Sequence, residues 1–293
     1  MINLGIIGPT ASGKTTLAVE VAKRCNGEII SADSRQIYKG MDIGTGKDLE
    51  EYGNVPYHLI NIANAGEKYD VFHYQQDFDK AYKDIVNRGK TPVLCGGSGL
   101  YIEAATGEIN YCPVPENKQL RETLATYSDE ELGKTLAEEI SLHNHTDTET
   151  RERCIRAIEI ARFKKDNLTV KRTPPPYKLF TIDFTPEVLR ERIEKRLNER
   201  LNNGMIDEVE NLLSSGVSAE TLKYYGLEYR YITEYLTMKQ DKQEMITRLR
   251  FAINQFAKRQ RTWIRGMERR GYKINHIDGT LPLAEQVAAC QPC

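Results

Sequence analysis

Apolar runs separated by amphipathic stretches recur along the chain. This alternation predicts repeated strand–helix–strand units, and hence a parallel sheet with helices on both faces. The candidate strands are residues 2–7, 28–32, 57–62, 92–95 and 179–184, with a weaker run at 274–277. Two proline-marked boundaries, Tyr111-Cys-Pro-Val-Pro115 and Thr173-Pro-Pro-Pro-Tyr177, bracket a region of another kind. Between them the pattern is helical, with capping boxes at Ser128-x-x-Glu131 and Thr146-x-x-Glu149. The expected organisation is an α/β core of residues 1–111 and 178–278, an all-helical insertion of residues 112–177, and a frayed tail of residues 279–293.

Beyond the insertion, Thr185 is placed to cap and Pro186 to open a helix with Leu189, Ile193, Leu197 and Leu201 on one face. Asn202-Asn-Gly204 ends it. The last long helix is expected to bury Met245, Leu249, Ala252, Phe256, Trp263 and Met267. Arg259 and Gln260 fall on that stripe. A polar pair there marks either a gap where the helix leaves the core or the lining of a site.

Composition adds bounds. A chain of 293 residues, 40% hydrophobic and 28% charged, suits one large or two ordinary globular domains. No run approaches the ~18 apolar residues of a membrane span, and the N-terminus opens a strand rather than a signal peptide, so a cytoplasmic protein is expected. The six cysteines (25, 95, 112, 154, 290 and 293) are scattered, unlike a disulfide framework. Cys290-Gln-Pro-Cys293 lacks the second ligand pair of a zinc site. The net charge of −1 is uninformative, but residues 248–273 carry nine Lys/Arg against Glu268 alone. Such a cluster reads as the footprint of a phosphate backbone or as a solvated basic face.

The densest chemistry follows the first strand. Gly8-Pro-Thr-Ala-Ser-Gly-Lys-Thr15 fits G-x-x-x-x-G-K-[ST], the pattern whose backbone amides and helix N-terminus cradle a di- or triphosphate. Gly8, Thr10, Ala11, Ser12, Gly13, Lys14, Thr15 and Thr16 form the candidate phosphate site, with Lys14 on the terminal phosphates and the Thr15 hydroxyl on Mg²⁺. Two further loops, beginning at Asp33 and at Gly96, follow later strands, and ligands of such sheets bind outside the carboxyl ends of the strands. Asp33 then faces the phosphates as a carboxylate or serves only as a turn residue. Gly96-Gly-Ser-Gly99 offers close backbone approach and the Ser98 hydroxyl, or is a plain glycine turn.

Five segments together carry a specific resemblance. The phosphate loop, Asp33-Ser-Arg-Gln-Ile-Tyr-Lys-Gly-Met-Asp-Ile-Gly-Thr-Gly-Lys47, Gly96-Gly-Ser-Gly-Leu-Tyr101, Arg153-Cys-Ile-Arg-Ala-Ile-Glu159 and Lys258-Arg-Gln-Arg-Thr-Trp-Ile-Arg265 occur in order. They resemble the signatures of the tRNA dimethylallyltransferase (tRNA isopentenyltransferase) family. The resemblance runs to about residue 275 and includes the helical insertion. It implies a P-loop NTPase-like core and transfer of a dimethylallyl group from dimethylallyl diphosphate to N6 of adenosine 37 in the tRNA anticodon loop. It further implies Asp33 as the base, with Ser98 and Lys14 at the reacting atoms and Mg²⁺ on Thr15. It implies tRNA contacts from Asp33, Ser34, Arg35, Gln36, Ser98, Arg121, Arg153, Arg156, Arg259 and Gln260. A monomer that binds the anticodon stem-loop, away from any membrane, is expected.

The chain departs from the family pattern at one point. Many members carry Gly-Tyr-Arg-Gln or Gly-Tyr-Lys-Glu in the later core, but this chain reads Gly226-Leu-Glu-Tyr-Arg230. Glu228 stands where the basic residue is expected, which leaves that role to Arg230 or another cation. Two rival readings share the phosphate loop: a nucleotide-dependent small-molecule kinase, and a non-catalytic RNA-binding protein with a nucleotide switch. The first lacks an acid in Leu94-Cys-Gly-Gly97 for Mg²⁺, and the second leaves Asp33 and Ser98 unused.

Overall fold

The computed structural model describes residues 3–140, 148, 150–167, 171–238 and 240–291. Ile2, the Thr146-x-x-Glu149 capping box and Cys293 lie outside the described residues. The chain divides into two compact units, residues 1–107 with 174–293, and residues 108–173.

Among the described residues the larger unit holds six strands: β1 (Asn3–Ile7), β2 (Gly27–Ser31), β3 (Tyr57–His58), β4 (Thr91–Gly96), β5 (Tyr177–Asp183) and β6 (Ile274–Asp278). They form one sheet in the order β3-β2-β4-β1-β5-β6, with every neighbouring pair parallel. β1, β2 and β4 are buried along their whole length, as strands covered on both faces must be, which is why they read as continuous apolar runs. The expected strand at 57–62 is shorter. Leu59 and Asn61 adopt left-handed backbone conformations (φ 62° and 59°), and the pleat stops at His58.

Helices α1 (Lys14–Arg24), α2 (Val71–Asn87) and α3 (Gly99–Thr106) connect the early strands. Leu17, Ala18, Val21 and Ala22 of α1 pack with Leu4, Ile6, Ile29 and Val93 of the sheet in one core cluster. After β5, Thr185 caps α7 (Pro186–Asn202) by accepting from the Val188 amide. α8 (Met205–Ser214), α9 (Ala219–Tyr224), α10 (Leu227–Met238) and α11 (Lys242–Arg269) follow, and a second cluster joins Leu189, Ile193 and Leu197 to Val209, Tyr229, Met245 and Leu249.

Two expectations are corrected here. The buried stripe of α11 runs Met245, Leu249, Ile253, Ala257, Gln260, Ile264 and Met267, whereas Phe256 is exposed and Trp263 only half-buried. The buried stripe lies about one residue on from the expected one, because Phe256 turns to solvent and Ile253, Ala257 and Ile264 take the core face. The frayed tail is instead a helix, α12 (Leu283–Cys290), whose Val287 and Cys290 are buried against the first cluster.

The smaller unit is helical: α4 (Lys118–Ala125), α5 (Asp129–Glu139) and α6 (Arg151–Asp166). Leu124, Leu132, Leu136, Cys154 and Ile158 form its own core. The Ser128–Glu131 capping box is present, and Thr150 caps α6.

Candidate functional site

β2, β4 and β1 lie side by side, so the loops leaving their carboxyl ends are neighbours about 5 Å apart. The loops are bonded to one another. Gly8 N donates to Gly96 O (3.3 Å), Ser98 N to Ala32 O (3.1 Å), and Ser34 N to Ser98 Oγ (2.9 Å). Ser98 Oγ in turn donates to Ser34 Oγ (3.1 Å), and the Asp33 carboxylate accepts from Arg35 N (3.0 Å). Ala11 and Gly13 take left-handed backbone conformations, φ 61° and 85°, which turn the chain before α1 starts at Lys14.

Gln260 fastens two of these loops from α11. Its Oε1 accepts from Thr10 N (2.8 Å), and its Nε2 donates to Gly97 O (2.9 Å). A Cβ on residue 97 would lie 2.5 Å from Gln260 Nε2 and 2.7 Å from Gly8 O, so this approach demands glycine. Gln260 is therefore a site-lining member of the buried stripe. Its neighbour Arg259 points to solvent over the Phe256 ring.

The site's electrostatics centre on Lys14, whose ammonium donates to Pro9 O (3.3 Å). Burial pulls its pKa below the ordinary lysine range, the Asp33 carboxylate opposes this, and Arg196 and Arg200 lower it further. Burial pushes the Cys95 thiol up to about 12, which leaves it a neutral packing group. Sequence reasoning missed the arginines of α7. Arg192 Nε donates to Ala11 O (2.8 Å), Arg196 bonds Asp48 and Gly46 O, and Arg200 lies 3.5 Å from Asp48. The signal was their i, i+4, i+8 spacing beside the Leu189–Ile193–Leu197 stripe, a pattern that also describes a solvated helix face.

Other candidate residues take varied places. Ser12 is buried with its hydroxyl unpaired, Thr15 is half-exposed at the start of α1, and Thr16 bonds Glu51 (3.0 Å). Gln36 is buried, accepting from Ser31 Oγ (3.1 Å) and donating to Gly46 O (3.1 Å), and so braces the loop from behind. Arg35 donates to Tyr224 O (2.8 Å). In the smaller unit Arg121 and Arg156 both hold the buried Glu159 carboxylate, at 2.7 to 2.8 Å and 3.1 Å, while Arg153 is exposed on α6. Along α11, Arg248, Arg250 and Arg270 pair with Glu234, Glu194 and Glu103. Lys258, Arg261, Arg265 and Arg269 follow one helical face without an acidic partner among the described residues. A cavity of 310 Å³ opens beside Pro9, between the end of β5 and Arg261 and Arg265 of α11.

The IPP transferase family model matches residues 36–267, and one described as isopentenyl transferase matches residues 2–54. The chain is 50% identical over 290 residues to tRNA dimethylallyltransferase 2 of Bacteroides fragilis, covering 97% of this chain and 95% of that protein. It is 52% identical to tRNA dimethylallyltransferase 2 of Porphyromonas gingivalis, covering 97% and 96%. The crystal structure of the tRNA isopentenylpyrophosphate transferase of Bacillus halodurans superposes with a TM-score of 0.73 at 29% identity, covering 98% of this chain and 93% of that one.

Proposed function

This chain belongs to the IPP transferase family, and we propose that it transfers a dimethylallyl group from dimethylallyl diphosphate to N6 of adenosine 37 in the tRNA anticodon loop. The observation that carries this reading is the bonded convergence of three loops, which brings a phosphate cradle, a carboxylate and a hydroxyl to one place.

An exocyclic amine is a weak nucleophile because its lone pair is delocalised into the ring. Asp33 is the general base of this proposal, taking the N6 proton as the N6–C1 bond forms. The C1–O bond breaks with its electron pair left on the diphosphate, which becomes the leaving group. Lys14 and the loop amides of residues 8–16 stabilise the charge that develops there. Ser98, fixed by Ser34, stands beside the base as a hydroxyl donor. Among the described residues no group of three or more His, Cys, Asp or Glu is placed to hold a metal ion. Mg²⁺ would arrive with the substrate, and the Thr15 hydroxyl at the start of α1 would help to hold it. When bound, it supplies positive charge at the leaving group.

For tRNA, the proposal assigns phosphate contacts to Arg153 and to the unpaired stripe Lys258–Arg261–Arg265–Arg269. The target base has to be flipped out of its stack to reach the loops. No helix among the described residues is long and apolar enough to cross a membrane. Action as a monomer in the cytoplasm completes the proposal. The test is incubation with unmodified tRNA, dimethylallyl diphosphate and Mg²⁺, followed by nucleoside mass spectrometry. One adenosine should gain a C5H8 unit without ATP. Unchanged adenosine in that reaction, or a requirement for ATP hydrolysis, would return the chain to the kinase or nucleotide-switch reading.

A further inference from the structure

We infer that Arg200 supplies the diphosphate site with the cation that the family resemblance leads one to expect where this chain has Glu228. The inference rests on the proposed function above.

Arg230, the nearest basic residue in sequence, is turned away. Its side chain is 58% exposed, pairs with Glu234 at 3.2 Å and lies over the Tyr231 ring. Arg200 is the opposite case. Its side chain is 12% exposed, yet Nε and Nη2 form no hydrogen bond. Its ion pair with Asp48, at 3.5 Å, is the longer of two, because Arg196 holds the same carboxylate oxygen more closely. A guanidinium left with one long ion pair and two buried nitrogens outside any hydrogen bond is costly, unless a further anion completes it.

Its position says which anion. Arg200 and Glu228 line a crevice together with Thr10 and Ala11 of the phosphate loop. Repulsion from Arg200 also contributes to the lowering of the Lys14 pKa. Room for the guanidinium is provided by Gly46, where a Cβ would lie 1.6 Å from Nη2. Thus Gly46 opens a berth for Arg200. Glu228 shares the crevice, and burial raises its pKa above the ordinary carboxylate range although the charges of Arg200 and Arg196 oppose this. Arg200 takes no covalent part in the transfer. It receives the diphosphate oxygen that gains charge as the C1–O bond breaks.

The test measures binding of inorganic diphosphate, dimethylallyl transfer, tRNA affinity and Tm in the wild type, Arg200→Met, Arg200→Lys, and the double variant Arg200→Met with Glu228→Arg. Arg200→Met should weaken inorganic diphosphate binding at least about tenfold and lower kcat/KM for dimethylallyl diphosphate about 10²-fold, with tRNA affinity unchanged. Arg200→Lys should fall between, and the double variant should recover most of the loss. A purely structural arginine would lower Tm and leave diphosphate affinity alone. Wild-type diphosphate affinity in both single variants would overturn the inference. If the wild type modified no tRNA while diphosphate binding still depended on Arg200, the proposed function would fail and this inference would stand.

Discussion

Lys47 is wholly buried, and its ammonium spends its donors on Tyr38 O (2.6 Å), Asp42 Oδ1 (2.6 Å) and Asn61 Oδ1 (2.5 Å). Opposite it, the Glu208 carboxylate accepts from the amides of Asp42, Ile43 and Gly44 at 2.8 to 3.0 Å and from Tyr229. Residues 33–47 therefore form a bonded scaffold rather than a free loop, with Asp33 held at its edge by Arg35 N. Removing the Asp33 side chain should change the chemistry more than the fold. Asp33→Ala is expected to lower kcat for transfer by ~10²–10⁴ while tRNA affinity stays within a few-fold. Steady-state kinetics beside a tRNA-binding titration measure both, and a variant keeping more than about a tenth of the wild-type kcat would remove Asp33 from the role of base.

At the scale of elements, α6 separates two arginines that look alike in sequence. Arg156 is committed to Glu159 and to Val114 O (2.8 Å), and Arg121 grips the same carboxylate. Burial pushes the Glu159 pKa up, but hydrogen bonds from Arg121, the Asn117 amide and Arg156 outweigh it and hold the group below the usual range. Arg156→Ala should lower the Tm of the helical unit, with little change in the salt dependence of tRNA binding. Arg153→Ala should flatten the slope of log K against log salt by about one unit. Differential scanning fluorimetry and binding at several salt concentrations decide it, and a salt slope that moves with Arg156 but not Arg153 would reverse the assignment. The same contrast shows what sequence could carry. The phosphate loop and β1, β2 and β4 were legible because burial on both faces writes an unbroken apolar run. The cations of α7 were not, because charges at i+4 look the same whether they face water or a substrate. Phe256 and Trp263 misplaced the α11 stripe because aromatic bulk does not reveal which way a side chain turns.

Across the whole molecule, acid stability is tied to the far edge of the sheet. Glu28 of β2 is buried between Arg88, at the end of α2, and His58 of β3, with Arg88 Nη2 at 2.8 Å and His58 Nε2 at 2.7 Å. Hydrogen bonding from Arg88, aided by His58 and opposed by burial, holds the Glu28 carboxyl at about 2. Its folded pKa lies below its unfolded one, so the stabilisation is present above the ordinary glutamate range and is lost as pH falls toward 2. The contribution is on the order of 3 kcal/mol. Glu28→Gln should lower Tm at neutral pH and flatten the fall of Tm between about pH 5 and about pH 2. An unchanged acid limb in that variant would place the acid sensitivity elsewhere. Glu28 sits at the amino end of β2, opposite the carboxyl ends that carry the three loops, and transfer by Glu28→Gln at neutral pH should match the wild type wherever the protein remains folded.

The central claim is that three neighbouring loops bring one dimethylallyl diphosphate to one adenosine, which takes the dimethylallyl group as the diphosphate leaves. It is tested most directly by following diphosphate release and modified adenosine together, in a single ATP-free reaction with tRNA, dimethylallyl diphosphate and Mg²⁺. The account predicts that the two products appear one for one, that both stop when tRNA is withheld, and that both fall together in Asp33→Ala. Diphosphate released without modified adenosine, or modified adenosine that appears only when ATP is hydrolysed, would contradict it.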